Sequence, residues 1–485
     1  TLYVFWRKSR EQLENKYVGG SKLIGVADLT KSLKMAGEPV LFSIGGVPFP
    51  VGSDIKHSFI IGRPGTGKTV FLSAVIANLK PRNKGIIYDF KGDYLARSYD
   101  PDVDIIFNPL DRRGVKWNIF NEVRTVMDID GLAHSLIPES SNQDTFWVSA
   151  ARSVFSGILH YCYKNGMRTN ADIWAVVTAP IVEIAAKLNK TEGGESGYVY
   201  IQDASSKQAL GVMATLMQYV SCFRYLGKET SDFSISDWLE NGKGWIFVTN
   251  YADIKDTLRP MLSLFIDLLG KKLLSLPDDL SRRIYFLIDE FGTLQKLPTV
   301  KDLLTLSRSK GGGVWIGVQD VGQIDRLYGP HGRQTIVNAC GTSIHFSVAD
   351  PDTAEFVSKK IGDTRYKCVE EVHSIGVTDF KDGISLQPRD KTERLIMASD
   401  LQNLPDLECF IKLPGHFLVR TKLTYKSYKN NHIPFSLRDG LEMEKMDKIS
   451  EPITETALLP KQAEEILGEE IDKEPIVTEW EGRQL

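Results

Sequence analysis

The feature that most constrains the fold is the sequence GRPGTGKT at residues 62–69, which matches the pattern G-x4-G-K-[S/T] at every fixed position. A short, mostly apolar run at residues 57–61 precedes it, and a segment with helical spacing at residues 70–79 follows it. A strand, a glycine-rich turn and a helix in this order form the phosphate-binding loop, or P-loop. The motif therefore predicts an α/β fold that binds a nucleoside triphosphate.

The residue types in this loop suit phosphate chemistry. Glycines let backbone N–H groups approach the phosphates without Cβ clashes, and a helix N-terminus favours negative charge. Lys68 is expected to neutralise the β- and γ-phosphates of ATP, and the Thr69 hydroxyl to bind Mg²⁺. The residues assigned to the nucleotide are Gly62, Arg63, Pro64, Gly65, Thr66, Gly67, Lys68, Thr69 and Val70.

A second motif, RIYFLIDE at residues 283–290, supplies two carboxylates. Its apolar run predicts an interior strand, so Asp289 and Glu290 should emerge at the carboxyl edge of the sheet, where ligands collect. Asp289 is expected to hold Mg²⁺, largely through water, and Glu290 to orient and deprotonate the attacking water. The alternative is an exposed strand end with two solvated acids.

Two further side chains stand at positions suited to the same reaction. Gln319 ends a predicted strand, where its amide can hydrogen-bond the γ-phosphate or its water; the alternative is a plain strand-end amide. Arg308 lies on a predicted helix between the acidic pair and Gln319, from which it can stabilise transition-state charge in a neighbouring subunit. Arg326 and Arg333 compete for that role.

Several other residues have less specific patterns. Asp89 and Lys91 stand at the end of a predicted strand beside the P-loop and either help to polarise the site or form a strand-end salt bridge. His345 lies in an apolar run and is expected to be a core residue. The five cysteines have no C-x-x-C spacing, which argues against a disulfide framework or a zinc site and favours buried thiols in a reducing compartment.

The order of the predicted elements gives the domain organisation. Core strands are predicted at residues 57–61, 85–90, 104–108, 245–250, 284–289, 314–319 and 343–348, and a hairpin at residues 40–51. Helices alternate with the core strands, which predicts a mainly parallel sheet covered on both faces, and the stretch between residues 108 and 245 has only helical spacing. The predicted domains are a membrane-proximal linker (1–39), a nucleotide-binding domain in two parts (40–115 and 231–435), an inserted all-α domain (116–230) and an acidic tail (436–485).

Charge and the chain ends add two expectations. The net charge of −3 gives no argument for a nucleic-acid partner, but residues 436–485 hold 14 acidic and 6 basic residues against 48 and 53 in the remainder. The tail is either an interaction segment or a solvated disordered end. The first ten residues, TLYVFWRKSR, look like the cytoplasmic end of a transmembrane helix, so we expect an upstream membrane anchor. An ordinary surface helix start is the alternative.

Further motifs accompany the P-loop: YDFKGD (88–93), FNPLD (107–111), FW (146–147), DEFGTLQKLP (289–298) and GVQ (317–319). Taken together, these motifs resemble the type IV secretion coupling proteins of the TraD/TrwB type. The resemblance extends over roughly residues 40–425 and implies a RecA-like nucleotide-binding domain that shares its motor core with the FtsK/HerA translocases. It also places an arginine finger between the acidic pair and Gln319, a position that Arg308 matches.

The resemblance implies a hexamer at the cytoplasmic face of the bacterial inner membrane. Such a hexamer would use ATP and Mg²⁺ to deliver relaxase-bound DNA, bound without sequence preference and expected to be single-stranded, to the secretion channel. One alternative is a chromosomal translocase of the FtsK/HerA type, which predicts a winged-helix module that the tail does not show. Another is a docking receptor for protein substrates with secondary ATPase activity, in which the acidic tail binds relaxosome proteins.

Overall fold

The structure, a computed structural model, describes residues 16–139, 144–226, 231–374, 383–426 and 429–440. The predicted membrane-exit segment and most of the predicted acidic tail lie outside the described residues. None of the described helices is long and apolar enough to cross a membrane.

The described residues form fifteen strands and fifteen α-helices. The strands are β1 (Lys16–Gly20), β2 (Leu23–Ile24), β3 (Val40–Ile44), β4 (Val47–Pro50), β5 (Ser58–Ile61), β6 (Lys84–Asp89), β7 (Ile105–Phe107), β8 (Trp245–Thr249), β9 (Ile284–Ile288), β10 (Gly312–Val318), β11 (Thr342–His345), β12 (Asp363–Ser374), β13 (Gly383–Arg394), β14 (Glu408–Lys412) and β15 (Leu418–Lys422). The helices are α1 (Val26–Ala36), α2 (Lys68–Leu79), α3 (Asp93–Ser98), α4 (Val126–Leu136), α5 (Thr145–Lys164), α6 (Asn170–Val177), α7 (Ile181–Asn189), α8 (Glu195–Ile201), α9 (Lys207–Val220), α10 (Ile235–Asn241), α11 (Lys255–Leu274), α12 (Val300–Leu306), α13 (Val321–Ala339), α14 (Pro351–Ile361) and α15 (Ala398–Gln402).

A ten-stranded sheet lies at the centre, in the order β2-β15-β14-β11-β5-β10-β9-β6-β8-β7. The seven strands from β11 to β7 are parallel, whereas β14 pairs antiparallel with both β11 and β15. The interior strands β5, β8, β9 and β10 are fully buried, as expected for a parallel sheet covered on both faces. All seven core strands predicted from the sequence are present, with ends that differ by no more than three residues.

The stretch between β7 and β8 is helical, as predicted, and its described residues contain no strand. Helix α5 begins where the Asp144 carboxylate accepts a hydrogen bond from the Phe146 N–H, and α9 begins where the Ser206 hydroxyl accepts one from the Ala209 N–H. The α/β fold with an all-α insert is therefore confirmed.

Polar contacts attach this insert to the core. The buried Asp267 carboxylate, on α11, accepts hydrogen bonds from the Ser135 hydroxyl of α4 and from the Thr299 N–H before α12. The Gln295 amide donates to the Leu136 carbonyl at the end of α4. Residues 295–299, which follow the acidic pair, thus contact both the core and the insert.

Apart from the hairpin at residues 40–51, the antiparallel strands are absent from the sequence predictions. Strands β12 and β13 form a long hairpin that pairs with β1, and β2 joins the edge of the central sheet. Residues 16–36, predicted only as a connecting segment, therefore contain β1, β2 and α1. The predicted hairpin at residues 40–51 is present as β3 and β4.

Four of the five cysteines are buried, as predicted, and one is not. Cys162, Cys222, Cys340 and Cys409 are buried, whereas Cys368 is only half-buried because it lies on the β12–β13 hairpin. His345 is a core residue, as predicted, and its Nε2 atom lies 3.0 Å from the Ser343 hydroxyl.

Candidate nucleotide-binding site

The P-loop, residues 62–69, connects β5 with α2. Gly65 and Gly67 have φ angles of +84° and +117°, a region that side chains with a Cβ rarely adopt. A Cβ added to Gly62 would lie 2.5 Å from the Cβ of Phe346. The Arg63 N–H donates to the Ser347 carbonyl at 2.7 Å, so the loop is also hydrogen-bonded to the segment after β11. The loop therefore needs glycine at the positions that the motif specifies.

Lys68 lies inside this loop and is only 5% exposed. Its Nζ donates to the Gly62 carbonyl at 2.5 Å and lies 3.7 Å from the Glu290 carboxylate. Burial lowers the pKa of Lys68, and the negative charges of Glu290 and Asp289 oppose that shift. The structure therefore brings the first and second sequence motifs together around one ammonium group.

The acidic pair lies at the carboxyl end of β9. Glu290 has a left-handed backbone (φ 59°, ψ 50°), a conformation that costs about 1–3 kcal/mol in a residue other than glycine. The Thr293 hydroxyl donates to the Glu290 carbonyl at 2.7 Å, and the Gln319 amide donates to the Glu290 carboxylate at 2.8 Å. These contacts aim the carboxylate toward Lys68. They also place Gln319, predicted from the sequence as a ligand of the γ-phosphate or its water, in contact with Glu290.

Thr69 and Asp289 both lie beside the hydroxyl of Tyr94. The Tyr94 hydroxyl donates to the Asp289 carboxylate at 2.7 Å, and the nearby Thr69 side chain opposes the rise in the pKa of Tyr94 that burial causes. Burial raises the pKa of Asp289, and the Tyr94 hydrogen bond opposes that shift. A carboxylate and a hydroxyl at one point form a set of oxygen donors that fits Mg²⁺. A Cβ added to Gly317 would lie 3.0 Å from the Asp289 carboxylate, so glycine leaves room for this side chain.

Tyr94 was not predicted from the sequence, and Asp89 has a different role from those predicted. The buried Asp89 carboxylate accepts hydrogen bonds from the backbone N–H groups of Asp93 and Leu95, and it thereby positions α3 and Tyr94. Burial raises the pKa of Asp89 to about 7. Lys91 is exposed and lines the cavity beside the P-loop.

Arg308 is not part of the site within its own chain. It is exposed and lies just before the amino end of β10, which is level with the amino end of the neighbouring strand β9. The P-loop instead follows the carboxyl end of β5, which pairs in parallel with β10. Because the strands are parallel, Arg308 lies at their amino ends and the P-loop lies at their carboxyl ends, on opposite sides of the sheet along the strand direction. Arg333 forms an ion pair with Asp325 at 3.0 Å, and Arg326 lines a separate cavity beside Gly292.

The P-loop, Glu290 and Gln319 line a cavity of about 460 Å³. Its outer wall contains Leu407 and Tyr425. A larger cavity, of about 710 Å³, lies at the opposite edge of the sheet around Lys84 and Trp245. We place the candidate site in the smaller cavity because that is where the carboxylates and the phosphate-binding loop converge.

Residues 41–424 match the family described as the type IV secretion-system coupling protein DNA-binding domain. The chain belongs to this family. The resemblance drawn from the motifs, to type IV coupling proteins of the TraD/TrwB type, is thereby confirmed.

Individual relatives agree with the family match. The coupling protein TraD of Escherichia coli K12 is 29% identical over 436 residues, which are 88% of this chain and 60% of the relative. The chain therefore spans about three-fifths of that coupling protein's length. The unbound conjugative coupling protein TrwBdeltaN70 has a TM-score of 0.77 at 25% identity, covering 87% of this chain and 97% of the other.

A second solved structure of the family contains a nucleotide. Plasmid coupling protein TrwB in complex with ADP and Mg²⁺ has a TM-score of 0.76 at 25% identity, covering 88% of this chain and 98% of the other. The similarity thus extends over most of the chain.

Proposed function

We propose that this chain is the ATP-hydrolysing motor of a conjugative type IV coupling protein, which moves DNA toward the secretion channel. The observation on which the proposal rests is the convergence of Lys68, Glu290, Gln319 and Asp289 at the P-loop. Family membership supports the assignment to DNA transfer. We extend it to the cytoplasmic face of the bacterial inner membrane and to relaxase-bound DNA as the substrate.

In this proposal, Thr69 and Asp289 hold Mg²⁺, which neutralises phosphate charge when it is bound. Backbone N–H groups of the P-loop and the ammonium of Lys68 bind the phosphates of ATP. Glu290 orients a water molecule and accepts its proton. Gln319, which donates to the Glu290 carboxylate, keeps that base in position.

The position of Arg308 supports assembly into a ring. An exposed arginine at the edge of the sheet opposite the P-loop can reach a nucleotide only in another subunit. We propose a homohexamer in which Arg308 of one subunit stabilises transition-state charge at the site of the next. DNA would be bound mainly through its phosphates, and for that reason weakly at high salt.

The test is ATP turnover of the assembled protein with and without single-stranded DNA at low salt. DNA is expected to raise the turnover, and added salt to remove the increase. Arg308→Ala is expected to lower turnover by about 10³–10⁵-fold without weakening ATP binding, because its charge is needed in the transition state.

Arg112→Ala, which removes another exposed arginine, is the matched control and should behave as the wild type. Turnover that DNA leaves unchanged would favour the docking receptor, in which ATPase activity is secondary. If Arg308→Ala kept full activity, another residue would have to stabilise the transition state in the site of the neighbouring subunit.

For a test of the tail, a truncation should begin after residue 440, because the Arg438 N–H still donates to the Leu110 carbonyl.

A further inference from the structure

The outer wall of the nucleotide cavity packs directly on the P-loop. The Leu407 N–H donates to the Thr66 carbonyl at 2.9 Å, and the Leu407 carbonyl accepts from the Leu423 N–H at 2.7 Å. Leu407 has a left-handed backbone (φ 66°), and its side chain lies 3.2 Å from the position of a Cβ on Gly67. A strained residue is thus held against the start of α2 by hydrogen bonds on both sides.

Tyr425 continues this wall to the rim of the cavity. It lies three residues beyond β15, and 68% of its surface is exposed. An exposed aromatic ring gains stability when a flat apolar partner covers it. The ring is therefore available to a ligand that extends outward from the P-loop.

The same cavity also contains a buried hydrogen-bond donor. Arg97, on α3, lines the same cavity, and its Nε is buried without a hydrogen-bond partner among the described residues. A buried polar group without a hydrogen-bond partner destabilises the protein, and a ligand oxygen that accepts from it would remove that cost.

Leu407, Tyr425 and Arg97 line the same cavity as the residues expected to bind phosphate. Lys68, Glu290 and Gln319 surround the place for the terminal phosphate, so the rest of a nucleotide extends along the cavity past Val70. We propose that Tyr425 stacks on the nucleobase, that Leu407 packs against the nucleoside, and that Arg97 donates to a sugar–phosphate oxygen. Stacking uses the face that all bases share, so the subsite accepts adenine and guanine alike. This inference rests on the proposed nucleotide site.

The test compares Tyr425→Ala with Tyr425→Phe by calorimetry, using ATP, GTP and inorganic tripolyphosphate in the presence of Mg²⁺. Tyr425→Ala is expected to weaken the binding of ATP and GTP by about 10-fold, because one base–aromatic stack is lost. Tyr425→Phe keeps the ring and should bind both nucleotides as the wild type does. Tripolyphosphate has no base, so its affinity should be the same in all three proteins.

Unchanged ATP affinity in Tyr425→Ala would overturn the inference. So would an equal loss of tripolyphosphate affinity, which would show that Tyr425 supports the P-loop instead of the base. A wild-type preference of tenfold or more for one purine would contradict a stacking subsite without base selection. If the wild type bound neither nucleotide nor tripolyphosphate, the proposed nucleotide site itself would fail.

Discussion

Replacing Lys68 by alanine is expected to abolish ATP turnover. The ammonium group lies within the P-loop and donates a hydrogen bond to the Gly62 carbonyl, and only 5% of the residue is exposed. A bound phosphate would thus gain a charge-assisted hydrogen bond in a site that largely excludes water, where such contacts are strongest. Losing one preorganised charge of this kind lowers turnover by about 10²–10³-fold or more. Steady-state phosphate release measures the effect.

Lys31→Ala is the matched control, since Lys31 is an exposed lysine on α1, outside the site. A thermal melt of each variant separates lost catalysis from lost folding. Wild-type turnover by a folded Lys68→Ala protein would remove the P-loop from the mechanism.

Glu290→Gln is expected to bind ATP and to hydrolyse it about 10²–10⁴-fold more slowly, the usual contribution of a general base. Glutamine has nearly the same shape and can still accept the hydrogen bond from Gln319, so the local geometry should persist. It cannot accept a proton from water at neutral pH, and only the chemical step should fail. Equilibrium binding of a fluorescent ATP analogue and single-turnover hydrolysis measure the two effects separately.

Glu183→Gln, at an exposed position on α7, controls for the loss of one carboxylate. Loss of ATP binding in Glu290→Gln would show that Glu290 supports the nucleotide pocket. Normal hydrolysis would place the base elsewhere, with Asp289 as the next candidate.

The parallel core could be predicted because most of its strands are largely apolar and because strands alternate with helices along the chain. The contact between Gln319 and Glu290 could not be derived from periodicity. It depends on the strand order, in which β10 lies between β5 and β9 and therefore places Gln319 next to both motifs. Strands β14 and β15 pair antiparallel at the edge of the sheet, and the alternation of strand and helix that predicted the core does not extend to them.

The residues that the sequence did not reveal act through tertiary contacts. Tyr94 is indistinguishable in sequence from a core aromatic, and it meets Asp289 because the buried Asp89 caps α3. Leu407 has a backbone conformation that favours glycine, and its hydrogen bonds to the P-loop and to Leu423, the residue after β15, hold it there. Conversely, the sequence singled out Arg308, whose proposed partner lies in another subunit.

The central claim is that the phosphates of ATP lie on the P-loop, opposite the acidic pair. The most direct measurement is an experimental structure of this chain with Mg²⁺ and a non-hydrolysable ATP analogue. The account predicts phosphate density along the N–H groups of residues 65–69, with the metal ion between Thr69 and Asp289. Phosphates bound at any other place, with Asp289 and Glu290 remote from them, would contradict it.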